Sequence, residues 1–273
     1  MTIGFSINFY PVFFENGELI QEIKTDSDVL FLMDYFGYMS QTPDVGNFNG
    51  IVIRDVTHSI MSSEYSDADY YFGSLRKWCG VWTGGYARTR DGHMLETSTL
   101  DKNDYDDYIT LRRKAMEQKK QYIEEGNGGK EYLEVYDAAE DHLETMGIAP
   151  ATERDITLAQ NLDVEKISYR RRANAEVLRS AFSDWLIFPT LRSIDTPMFV
   201  PVLVPDGKRD ALRRYLINNE IYCPIHWPVS DYHKLNETEQ FLYDNELSLV
   251  CDQRYTEEDM YRMVETIRMF MED

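Results

Sequence analysis

The chain has 273 residues, 43% of them hydrophobic, and a formal net charge of −20 from 48 acidic against 28 basic side chains. That length supports one large domain and a smaller one, each with its own core. The acidic balance excludes nucleic acid and anionic membrane surfaces as partners, since both would repel the chain, and leaves solubility as its meaning. Cys79, Cys223 and Cys251 are an odd set without metal-ligand spacing. They argue against a disulfide framework or a metal centre and for a reducing cytoplasm. No apolar run reaches the length of a membrane span, and Met1-Thr2-Ile3-Gly4-Phe5 lacks the basic start of a signal peptide. A cytoplasmic protein is expected.

The first ninety residues alternate short apolar runs with polar connections: Ile3 to Phe14, Val29 to Met33, Ile51 to Ile53, Tyr70 to Phe72 and Gly85 to Thr89. Such runs suit strands covered on both faces of a mostly parallel sheet. Gly4 to Tyr10 and Val29 to Met33 read as the first two strands. From Asp101 to Glu125, Tyr105, Tyr108, Leu111, Met116 and Tyr122 share one helical face among many charges, which predicts an amphipathic helix. Gly126-Asn127-Gly128-Gly129 ends it; no strand precedes these glycines, so a helix-ending turn is favoured over a phosphate loop.

A second helix is expected over Glu131 to Met146, and Thr152-Glu153-Arg154-Asp155 caps a short third one. Val164 to Phe182 reads as a long helix with Val164, Ile167, Tyr169, Val177, Leu178 and Phe182 toward a core. Its cluster Arg170-Arg171-Arg172 is read as a solvated face or an internal salt-bridge partner rather than an anion site. From Pro197 the pattern is strand (Met198 to Val204), helix (Gly207 to Asn218), strand (Ile221 to Ile225), irregular segment, strand (Leu247 to Cys251) and helix (Thr256 to Met271). Met260, Met263, Val264, Ile267 and Met271 form the last helix's core stripe. The expected class is α/β, with a large domain over 1–160 and a linking helix plus smaller α+β domain over 161–273.

Two stretches carry chemistry. Ile51 to Ile53 delivers Asp55, with His58 three residues later, and Tyr70 to Phe72 delivers Ser74, with Lys77 three residues later and Thr83-Gly84-Gly85 beyond. These residue types answer the three handles of pyridoxal phosphate. Lys77 offers an amine to condense with the aldehyde, a reaction favoured where desolvation and nearby cations lower the amine's proton affinity. Asp55 can pair with the protonated ring nitrogen and keep the ring an electron sink. Ser74 can hydrogen-bond the phosphate, Arg76 can add charge-assisted bonds if it points inward, and His58 can stack on the ring or bond its phenolic oxygen. Taken singly, each residue has a plainer role as surface lysine, strand-end cap or loop histidine.

The Asp-x-x-His run, the Ser-x-x-Lys run and the trailing Gly-Gly resemble the cofactor-binding half of fold-type-I pyridoxal phosphate enzymes, the aspartate aminotransferase superfamily, and most closely its DegT/StrS-like branch. The tail resembles that branch's small domain, in Ile221-Tyr222-Cys223-Pro224-Ile225-His226-Trp227-Pro228 and in Leu247 to Met260. The resemblance implies Lys77 as the catalytic lysine, Asp55 as ring-nitrogen partner, His58 as ring contact and Ser74 as phosphate ligand. It also implies amino-group transfer from an amino donor such as glutamate to a keto acceptor such as a nucleotide-linked sugar, in a homodimer.

Only 54 residues precede Asp55, and they hold no glycine- or serine-containing helix N-terminus of the kind that binds the cofactor's phosphate in that superfamily. By ordinary domain sizes, roughly a quarter to a third of a full-length enzyme is missing, so the 1–160 domain is expected to be a partial cofactor-binding domain. A late-starting chain, an enzyme completed by a separate N-terminal polypeptide and a non-catalytic relative serving as a binding or assembly protein all remain open. So does a pyridoxal phosphate enzyme of another reaction type, such as decarboxylation, elimination or aldol cleavage.

Overall fold

A computed structural model describes residues 4, 6–15, 18–23, 26–38, 43, 45–62, 68–93, 105–126, 129–226 and 229–272. The expected helix start at 101–104, the turn residues Asn127 and Gly128, and Trp227 and Pro228 of the His-Trp-Pro segment lie outside these residues. The chain folds into two units, one formed by Met1–Tyr71 with Asp163–Asp273 and the other by Phe72–Leu162. The units group the chain differently from the sequence division at 160, placing the first 71 residues with the C-terminal part.

The N-terminal apolar run forms no strand over the described residues between 4 and 10; the first ladder is a hairpin of Val12–Glu15 (β1) and Glu18–Gln21 (β2). Phe13 pairs with Ile20 across it. Val29–Met33 (β3) and Ile51–Asp55 (β4) then pair in parallel, Val29 opposite Ile51 and Met33 opposite Asp55. The two-residue period of a strand sends Leu30, Leu32, Val52 and Arg54 to the buried face. Val29, Phe31 and Ile51, on the other face with Asp55, are exposed. Tyr70–Ser74 (β5) and Gly85–Thr89 (β6) are the next two strands.

In the second unit, Tyr105–Glu125 (α1) ends at Gly126, whose φ of +61° is the left-handed conformation glycine adopts without strain. It packs on Tyr132–Thr145 (α2), with the Arg112 guanidinium 4.8 Å from the Tyr136 ring centre. Glu153–Gln160 (α3) begins as its capping sequence predicts, the Thr152 side chain accepting the Asp155 N–H at 3.1 Å. Asp155 is buried and accepts both the N–H and the hydroxyl of Thr83, at 2.8 and 2.7 Å. These bonds fix the chain just before Gly84, which has φ +119°.

The first unit resumes with Val164–Ala181 (α4), capped by Asp163 through the Lys166 N–H at 3.0 Å. Phe199–Leu203 (β7) and Glu246–Val250 (β8) pair antiparallel, flanked by Arg209–Asn218 (α5), Glu237–Asn245 (α6) and Glu257–Glu272 (α7). Their core closes on Leu178, Val200, Val202, Leu212, Leu216, Leu247, Leu249 and Ile267, each fully buried. Each such aliphatic side chain contributes about 1.5 to 3 kcal/mol. Arg171 is the internal cation its cluster suggested. Its guanidinium reaches Gln253 at 2.6 Å, the Met198 carbonyl at 2.9 Å and Asp252 at 3.3 Å, tying α4 to the ends of the β7-β8 pair.

Two elements depart from the expectation. Ile221 to Ile225 joins no ladder; Pro224 has no N–H to give, and its carbonyl accepts the Ser248 N–H at 3.1 Å. The segment expected to be irregular contains α6. It starts with a capping box in which Asn236 accepts the Glu239 N–H at 2.9 Å and Glu239 accepts the Asn236 N–H at 2.8 Å.

Candidate functional site

Asp55 lies half-buried at the last position of β4. Its Oδ1 accepts the Thr57 N–H at 2.8 Å, an Asx-type turn that stops the strand and fixes the carboxylate. The neighbouring Arg54 points to the opposite face, fully buried. It donates to Asp34 at 2.7 Å, and Ser59 donates to the other Asp34 oxygen at 3.0 Å. A charged pair therefore anchors the strand end beneath Asp55.

His58 follows in the turn but is buried, 7% exposed. Its Nδ1 accepts the Phe36 N–H at 3.3 Å, so Nε2 bears the proton in the neutral ring. The ring packs with Phe36, Phe199 and His226 at centroid distances of 5.9, 6.4 and 5.7 Å. Phe36 itself has φ +57°, rare for a bulky residue. It is held there by this bond and by its carbonyl, which accepts the Met198 N–H at 2.7 Å.

In the second unit, half-buried Ser74 ends β5 and precedes the 3-10 turn Leu75–Lys77. The Leu75 N–H donates to the Gly84 carbonyl at 2.7 Å, joining this turn to Thr83-Gly84-Gly85. Lys77 is exposed and the following Trp78 is buried. Arg76 turns toward the helices, donating to Glu140 at 2.8 Å and to the Tyr108 hydroxyl at 3.2 Å. Glu140 is shared with Arg112 at 3.2 Å.

The first unit also holds a partly open cavity of about 550 Å³ that no sequence pattern announced. Its walls come from residues far apart in the chain, including Phe9, Phe36, Phe188, His226, Leu242 and Glu246. At one side the Ser248 hydroxyl donates to Glu246 at 2.5 Å and contacts His226 Nδ1 at 2.8 Å. Burial pushes the Glu246 carboxyl up to about 7, against the opposing pull of Ser248, the His226 N–H and Arg209. At the other side Glu239 accepts the Val12 N–H at 3.1 Å as well as its own cap bond, and His233 stacks on Phe9 with ring centres 4.2 Å apart. Arg254 is paired with Asp252 at 2.9 and 3.0 Å.

No protein-family model and no curated protein matches the chain. Solved structures do match, and the class they define is the aminotransferase fold: mixed α/β with a mostly parallel central sheet. A DegT/DnrJ/EryC1/StrS aminotransferase from Brucella abortus superposes with a TM-score of 0.54 at 14% identity, over 88% of this chain and 63% of that one. PseC of Helicobacter pylori, an aminotransferase involved in the biosynthesis of pseudoaminic acid, gives 0.55 at 13% identity over 87% and 65%. The sugar aminotransferase Spr1654 described for Streptococcus pneumoniae, in its PLP-form, gives 0.56 at 12% identity over 90% and 69%. The chain thus spans less than two thirds of the length of the first two. Their fold is the fold-type-I, DegT/StrS-like one that the sequence resembles.

Proposed function

We propose that this chain takes part in pyridoxal phosphate-dependent transfer of an amino group, with Lys77 as the catalytic residue, Asp55 as partner of the cofactor's ring nitrogen and Ser74 as a phosphate ligand. The observation that carries the reading is the DegT/StrS-type aminotransferase fold over about nine tenths of the chain. The spacing of Asp55, Ser74 and Lys77 supports it.

The donor set suits the group. A carboxylate offers about four lone-pair sites, so Asp55 keeps acceptor capacity beyond the bond from Thr57. Ser74 and Lys77 flank one short turn, which fixes their mutual order. When bound, the cofactor supplies an aldehyde and a cationic ring that withdraws electrons. Asp55 would hold the ring proton by charge pairing, Ser74 would donate to a phosphate oxygen, and the Lys77 amine would take a proton from the substrate's α-carbon and return it one position away. Arg76 could serve the phosphate only by leaving Glu140, and His58 could reach the ring only by leaving its packing with Phe36.

The donor in this reading is an amino acid such as glutamate, and the acceptor a keto compound such as a nucleotide-linked sugar. In this reading a second copy of the chain is its partner. The engagement of Arg76 and His58 favours a second reading, a relative that keeps the fold as a binding or assembly partner. Titration with pyridoxal phosphate separates the two. The first reading expects a visible absorption band that borohydride converts into a stable mass increase on the peptide containing Lys77, absent in Lys77→Ala. Absence of the band, or its survival in Lys77→Ala, overturns it.

A further inference from the structure

We propose that the cavity of the first unit binds an apolar molecule bearing an ammonium or similar hydrogen-bond-donating head, with the head at Glu246 and the body among Phe36, Phe188 and Leu242. This site stands apart from the cofactor reading, because none of Asp55, Ser74 and Lys77 lines the cavity.

The volume, about 550 Å³, falls within the range of small-molecule sites, and the walls are chiefly aromatic and aliphatic, as such sites require. Polarity is confined to a few points. Of the two acids in the wall, Glu239 is spent on structure: its oxygens accept the backbone N–H groups of Val12 and Asn236, and His233 approaches at 3.5 Å. Glu246 differs. It is 8% exposed and accepts the Ser248 hydroxyl and the His226 backbone N–H, which leaves about two of the carboxylate's four lone-pair sites.

The Ser248 proton is committed to Glu246, so the 2.8 Å contact with His226 makes Nδ1 of the histidine the donor and Nε2 its acceptor nitrogen. The chain from His226 through Ser248 thus runs toward the Glu246 carboxyl group. Serine sits in the middle of it, the reverse of a nucleophilic triad, in which histidine lies between the acid and the serine. The arrangement therefore recognises rather than attacks.

Charge selects the ligand further. Among the described lining residues there is no Lys or Arg. A phosphate or carboxylate would find no lysine or arginine in the described wall and would meet Glu246, on which Arg209 acts from outside that wall, whereas an ammonium would be drawn to Glu246. Phe36 and Phe199 face His226 at centroid distances of 5.4 and 4.6 Å, so the histidine borders an aromatic wall on which a flat apolar body can lie.

The test is calorimetric titration of the full chain at mildly alkaline pH with three probes of matched shape: 2-phenylethylamine, 2-phenylethanol and phenylacetate. The amine is expected to bind at least about tenfold more tightly than phenylacetate, the factor a charge-assisted hydrogen bond supplies. Glu246→Gln should remove about that factor for the amine and leave 2-phenylethanol unchanged. Leu242→Trp, which fills the cavity from α6, should abolish binding of both while the thermal transition stays cooperative. Equal affinity for phenylacetate, an unchanged amine affinity in Glu246→Gln, survival of binding in Leu242→Trp, or no binding of the amine to the parent chain would each overturn the proposal.

Discussion

Replacing Glu246 by Gln should remove a loss of stability that the parent chain suffers as pH rises toward neutrality. The carboxyl's ordinary value is 4.5, and burial lifts it to about 7 in the folded chain; the Ser248 hydroxyl, the His226 N–H and Arg209 pull the other way and do not prevail. A group whose folded value lies above its unfolded one binds its proton more tightly when folded. Its contribution is therefore complete below about pH 4.5 and is lost as pH rises through about 7. One unit corresponds to 1.36 kcal/mol, so a rise of about 2.5 units amounts to roughly 3 kcal/mol. The side chain is 8% exposed, which leaves little solvent screening to reduce that figure. Urea unfolding of the parent and of Glu246→Gln across this pH range measures it. The stability difference should move in favour of the glutamine variant by roughly 3 kcal/mol between the acidic and alkaline ends. A difference that stays constant with pH would refute the reasoning, since amide and carboxyl then differ only in packing.

Gly37→Ala should destabilise the first unit by more than about 2 kcal/mol, because φ is +84° and an added Cβ would lie 2.0 Å from the Thr196 carbonyl oxygen; thermal melts read the loss. Arg171→Met should cost about 3 kcal/mol, the scale for breaking a buried charged network, by removing the donor to the Pro197 and Met198 carbonyls and to Gln253, and Arg171→Lys should recover little because one ammonium cannot span the fork's partners. Asp155→Asn should weaken the hold on Thr83. Burial raises the Asp155 carboxyl, but the bonds from Thr83 and Thr152 outweigh it and keep it below its ordinary value of 3.8. The parent's advantage over Asp155→Asn is therefore present above pH 3.8 and disappears as pH falls below it, as acid-unfolding curves of the two will show.

Where a strand or helix is dictated by its own residues, the sequence located it. Val29–Met33 and Gly85–Thr89 coincide with the expected runs, as β-branched and aromatic residues between turn-formers should. Thr152 and Gly126 bound their helices for reasons that act within a few residues. Asn236-Glu237-Thr238-Glu239, the capping box of α6, is a local signal of the same kind. Ile221 to Ile225 misled because its apolar character serves burial in the core around Cys223 rather than a ladder, and Pro224 lacks a ladder donor.

The sequence by itself determined the class of fold, through alternating apolar runs and capped amphipathic helices, and it singled out Asp55, Ser74 and Lys77 by type and spacing. Side-chain direction was another matter. Arg76 and Arg54 look alike along the chain, yet Arg76 is drawn to Glu140, 64 positions away, and Arg54 to buried Asp34. His58 carries the ring the cofactor motif asks for, but its partners Phe36 and His226 are fixed by long-range packing. Only the tertiary structure could gather Phe9, Phe188, His226 and Glu246 around one cavity and raise the affinity of Glu246 for its proton. Burial and low local polarity are properties of the assembled interior, and no single stretch of sequence contains them.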